Sequence, residues 1–124
     1  MKKETSSKLK KKCDELTSKI IRSLGYCELA GLDTIRCNGN LQTMHILGRS
    51  NMFLRFDKQN LLCGCAGHHF YYTNHPWEWQ ELIRTQFPDR YTYIEQNRLQ
   101  EAHRKISDYA ELRDILQKEL TELS

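Results

Sequence analysis

The sequence has no long hydrophobic run. No apolar stretch approaches the roughly 20 residues that cross a bilayer as a helix, which excludes a membrane-spanning protein of that kind. The Lys- and Ser-rich start has no apolar segment behind it, so a secretory signal is not expected and the cytoplasm is the expected location. No internal repeat is visible, which sets aside solenoids and arrays. Neither sign of charge dominates, with 19 Lys and Arg against 16 Asp and Glu in 124 residues, for a net charge of +3. An even cysteine count is also missing. Five Cys cannot all pair, and in a reducing compartment they read, with the five His, as metal ligands or free thiols.

What is present is unevenly placed. Residues 1–12 carry six Lys against Glu4, a local charge of +5 that leaves −2 for the rest of the chain. Such a basic arm can engage phosphates by releasing their counterions, or simply remain a solvated tail. From Lys8 to Leu24 the apolar residues Leu9, Cys13, Leu16, Ile20 and Leu24 recur at helical steps, and Gly25 suits the helix end. Residues 26–75 then hold four of the five Cys and four of the five His. Leu41–Leu47 and Met52–Phe56 read as two short strands, and a helix is expected from His68 to Tyr72. Pro76 suits the first turn of a further helix, with Trp77 packing on the core, and Phe87-Pro88-Asp89 ends it. From Tyr91 one long helix or two are expected, with Ser107-Asp108 as an internal cap. The pattern divides into a basic arm and N-terminal amphipathic helix (1–25), a compact core (26–88) and a C-terminal helical segment (89–124).

Cys27 and Cys37, followed by Cys65-Ala66-Gly67-His68, supply four soft donors for a tetrahedral structural zinc. The two-residue spacer between Cys65 and His68 lets one turn present two donors to one ion. Cys63 competes for the same role, and unmetallated Cys would be small buried hydrophobes.

The ordered string Leu41-Gln42-Thr43-Met44-His45-Ile46, Arg49, Leu54-Arg55-Phe56-Asp57, Asn60, Cys63-Gly64-Cys65 and His68-His69 resembles the HNH (ββα-metal) endonucleases, in particular the phage branch related to the NinG recombination protein. The resemblance covers residues 27–79. It implies an α+β fold, a β-hairpin followed by a helix around one catalytic metal, with a zinc knuckle and flanking helices. It implies metal-dependent hydrolysis of DNA phosphodiester bonds in phage genome processing or recombination. His45 then matches the general base, Asn60 the residue that holds the loop or helps ligate the metal, and His69 the final ligand of a catalytic Mg²⁺, Mn²⁺ or Ni²⁺. Neighbours on a helix point about 100° apart, so His68 and His69 can serve two different metals.

One position departs from the family pattern. Met44 stands where many relatives carry an Asp or His ligand, and a thioether does not suit a hard divalent cation. Asp57, His75 or a water could replace it, although Asp57 also suits a turn cap. Arg49 and Arg55 flank this centre and could clamp phosphate, or pair with nearby acids. The alternative function is a catalytically degenerate, zinc-stapled module that binds DNA or protein. Roughly heptad apolar spacing near the end, with Arg113 on the seam, also suits a homodimer formed through the C-terminal helix, or a helix packed on its own domain.

Overall fold

The computed structural model describes residues 4–124; Lys2 and Lys3 of the basic arm lie outside the described residues. The chain is α+β, and the described residues form five α-helices and one two-stranded antiparallel sheet. The rest of the arm is helical. Helix α1, Ser6–Arg22, starts at Thr5, whose hydroxyl accepts the Lys8 N–H, and places Lys8, Lys10, Lys11 and Lys12 on its own surface. Its apolar stripe Leu9, Cys13, Leu16 and Ile20 is buried, as the spacing requires.

Strand β1, Leu41–His45, pairs with β2, Leu61–Cys65, in the register Leu41↔Cys65 to His45↔Leu61. The expected strand at Met52–Phe56 is instead a turn. Side-chain amides explain the difference: Asn51 Oδ1 accepts the Leu54 N–H, and the Asp57 N–H returns to the Leu54 carbonyl. The true partner strand is buried along its whole length. Gly64 is needed there, because a Cβ would lie 2.2 Å from Met44 Sδ. Gly39, at φ +81°, makes the turn that brings the Cys37 loop against the start of the next helix.

Helix α2, Ala66–Thr73, follows β2 without a loop and is capped by Cys65, whose Sγ accepts the His68 N–H. Helices α3, Pro76–Gln86, and α4, Pro88–Asn97, each begin on a proline, where a missing N–H costs nothing. The two tryptophans are reversed from expectation. Trp77 is 81% exposed, whereas Trp79 packs near Tyr72 and donates its indole N–H to the Ile46 carbonyl.

Residues 98–105 are not helical, so the C-terminal segment is two helices, α4 and α5, Ile106–Glu122. Asp108 accepts the Lys105 N–H at 2.7 Å and so satisfies the start of α5. The middle of the stripe read as a dimer seam is spent inside the chain, whereas Leu99, Ile106 and Leu123 at its ends stay exposed. Tyr109 and Leu116, with Leu112 and Leu120 beside them, pack on Leu9, Cys13, Leu16 and Ile20 of α1 and on Phe56. Arg113 bonds to Glu4 and Asp114. The face of α5 formed by Tyr109, Leu112, Leu116 and Leu120 is therefore covered by α1. A second cluster, built from Leu29, Met44, Leu62, Tyr72 and Ile83, supports the sheet from its other side. Among the described residues no helix is long and apolar enough to cross a membrane.

Candidate metal centre and catalytic cleft

The ligand atoms of Cys27, Cys37, Cys65 and His68 all lie within 4.8 Å of one another. Two loops and the β2–α2 junction build this group. Cys27 follows α1 directly, Cys37 sits before the Gly39 turn, and Cys65 and His68 share the first turn of α2. His68 Nδ1 lies 3.7 Å from Cys27 Sγ, 3.8 Å from Cys37 Sγ and 3.1 Å from Cys65 Sγ. A tetrahedral zinc, with Zn–S about 2.3 Å and Zn–N about 2.0 Å, sets such nitrogen–sulfur separations at about 3.5 Å. The cluster could therefore hold a structural metal such as zinc.

The surroundings suit that role. His68 Nε2–H donates to Asp33 Oδ1 at 3.0 Å, which leaves Nδ1 to face the sulfurs, and the Tyr72 hydroxyl holds the other Asp33 oxygen at 2.6 Å. Backbone N–H groups of Asn38 and His68 donate to Cys65 Sγ, and that of Cys65 to Cys27 Sγ. Burial pushes the Cys65 thiol up, but those two N–H bonds and the His68 ring outweigh it and bring it down to about 6. Cys37 goes the other way, to about 11, through desolvation and then the neighbouring Cys27 and Cys65 sulfurs. A cation among them relieves that repulsion and lets every sulfur ionise. Cys63 is fully buried on β2 but stands outside the group, so it does not compete.

A separate cleft of about 720 Å³ opens between α1 and the hairpin, and both His45 and His69 line it. His45 ends β1; its Nε2–H donates to the Arg55 carbonyl at 3.1 Å, leaving Nδ1 as a free base. Burial pushes the His45 ring below its usual 6.5, against the Arg55 carbonyl bond that raises it. His69 sits in the first turn of α2 and donates from Nδ1 to Gln42 Oε1 at 2.6 Å, so Nε2 stays available; burial lowers this ring too.

Asn60 is fully buried and holds the loop between the strands. Its Oδ1 accepts the Leu47 N–H at 2.7 Å, and its amide donates to the carbonyls of Leu47 and Leu54. Each of its polar atoms is engaged, so of its two expected roles the loop clasp is the one seen and ligation of the catalytic ion is not. Asp57 is likewise corrected. One carboxylate oxygen caps the turn Lys58–Asn60 and the other accepts the Tyr93 hydroxyl, and it does not line the cleft. His75 is turned to the Tyr71 carbonyl and stacks on that ring. Met44 is 2% exposed in the core beneath Gly64, and does not line the cleft.

The carboxylates that do line the cleft, Asp14 and Glu15, come from α1. Arg49 and Arg55 line it as well, and both bond to Asp14. Sequence reading missed these acids; the signal was the polar face of α1, where Lys11, Asp14, Ser18 and Arg22 recur at helical steps. Among the described residues no second group of three or more His, Cys, Asp or Glu donors gathers within ion-binding distance. Comparison with protein families, with curated proteins and with solved structures gives no match, so the geometry itself carries the functional reading.

Proposed function

We propose that this chain is a zinc-stapled endonuclease of the HNH type that hydrolyses DNA phosphodiester bonds with the aid of a divalent cation. One observation carries the reading: His45 at the end of β1 and His69 in the first turn of α2 face a single cleft, with the loop between the strands pinned by Asn60. Hairpin followed directly by helix is the order that the sequence resemblance implies.

In this reading zinc occupies the Cys27, Cys37, Cys65 and His68 group and fixes α2 to the hairpin, which sets the position of His69. His45 Nδ1 takes the proton from an attacking water, and its lowered pKa keeps the ring neutral at pH 7. Lys11, Lys19 and Arg22 on one wall and Arg49 on the other bind backbone phosphates. The donors at hand suit a loosely held hard cation, since Mg²⁺ keeps most of its waters and takes only one or two protein ligands: His69 Nε2, with Glu15 in the wall. When bound, such an ion would neutralise charge on the phosphate and on the leaving 3′ oxygen.

Nicking of supercoiled plasmid by the zinc-loaded protein in Mg²⁺, Mn²⁺ or Ni²⁺ tests the proposal. His45→Ala should abolish nicking while the fold and the zinc remain. A second reading, a DNA-binding module without cleavage, is favoured by the burial of Met44 and the engagement of Asp14 by two arginines. Plasmid bound but intact under all three metals would select it.

A further inference from the structure

Two arginines of the cleft converge on one carboxylate. Arg55 grips Asp14 as a fork, Nε to Oδ1 at 3.0 Å and Nη2 to Oδ2 at 2.5 Å, and Arg49 Nη2 reaches the same Oδ2 at 2.8 Å. A planar anion held by two guanidinium groups is the arrangement that these side chains also make with a phosphate. The two arginines are not held equally. Arg55 is 15% exposed, donates Nη1 to the Arg49 carbonyl and lies against the Phe56 ring. Arg49 is 59% exposed and its side chain has only the Asp14 contact.

We infer that Asp14 occupies the seat of a backbone phosphate, and that an incoming phosphodiester takes Arg49 away from Asp14 while Arg55 keeps its fork. Asp14 thus positions Arg55 and weakens nucleic-acid binding by competing for Arg49. This rests on the cleft being a phosphodiester site, but not on cleavage occurring there.

Anisotropy of a labelled DNA duplex, with Ca²⁺ in place of Mg²⁺ and salt varied from about 50 to 200 mM, tests it. Asp14→Asn keeps the shape and one acceptor for Arg55. It should bind about tenfold tighter, the worth of one charge-assisted hydrogen bond transferred from an internal to an external partner. Its log K against log salt slope should stay that of wild type, because Arg49 meets the phosphate in both proteins and only the internal competitor is removed. Arg49→Gln should bind more weakly, and the Asp14→Asn/Arg49→Gln pair should bind no tighter than Arg49→Gln alone. An Asp14→Asn protein that binds no tighter, or a gain that survives in the Arg49→Gln background, overturns the inference. Should Asp14→Asn fail to fold, the wild-type chain answers by NMR during titration with inorganic phosphate: the Arg49 Nε signal should move and that of Arg55 hold. Both moving together, or neither moving, overturns it. Loss of the nuclease reading looks different, as plasmid left intact in Mg²⁺ while the Asp14→Asn gain persists.

Discussion

Replacing Cys65 by Ser should cost this chain its fold. Cys65 Sγ belongs to the four-donor group, accepts the N–H groups of Asn38 and His68, and caps α2. A serine hydroxyl can still cap a helix, so the loss falls on the metal and the loop that contains Cys37. Structural zinc supplies about 10 kcal/mol or more in small metal-dependent domains. A chain of this size has a total stability of only about 5–15 kcal/mol, so losing most of the zinc term leaves little. Cys63→Ala is the matched control. That residue is as deeply buried but outside the group, and its loss should cost about 1–2 kcal/mol for a small cavity with zinc retained. Zinc content by elemental analysis and thermal melts by circular dichroism read both variants. Wild type should carry one zinc per chain and melt cooperatively, and Cys65→Ser should carry none and show no cooperative melt. A Cys65→Ser protein that keeps its zinc, or melts within a few degrees of wild type, would refute the reasoning.

Asn60→Ala leaves the N–H and C=O of Leu47 without their partner, at about 1–3 kcal/mol for each buried group, so a loss of about 3 kcal/mol is expected in urea unfolding. His69→Ala should melt close to wild type yet lose nicking, since its ring faces the cleft with one hydrogen bond to Gln42. Because the His45 pKa is lowered, the neutral base persists as pH falls past 6.5 and is lost only beneath it. The acid limb of kcat/KM against pH should therefore have its midpoint below 6.5, and a midpoint of 7 or above would contradict this role for His45. Leu116→Ala opens a cavity between α1 and α5 and should cost about 3 kcal/mol, while sedimentation of the wild-type chain should give a monomer.

The parts of the fold written in short-range patterns were legible. The helical steps of Leu9, Cys13, Leu16 and Ile20 mark α1, and Pro76 marks the start of α3; Pro88, read as the end of that helix, also opens α4. Cys65 and His68, three residues apart, announce the metal group, and Cys27 and Cys37 complete it without any such spacer. Strand β2 was not legible, because Leu61–Cys65 is buried on both faces and shows no alternation. Met52–Phe56 has strand-like residues, but the Asn51 amide folds it into a turn. The polar face of α1 that carries Asp14 was visible, but the partners of that carboxylate were not. It meets Arg49 and Arg55 across 35 and 41 residues of chain, a pairing set by how α1 lies on the hairpin and by no local motif.

Titration of the zinc-loaded protein with Mn²⁺, followed through the imidazole signals of all five histidines, addresses the convergence of His45 and His69 most directly. Both rings should broaden together at low Mn²⁺, while exposed His103, which does not line the cleft, stays sharp. Broadening of one of the two rings without the other, or of neither, would contradict a shared ion in the cleft.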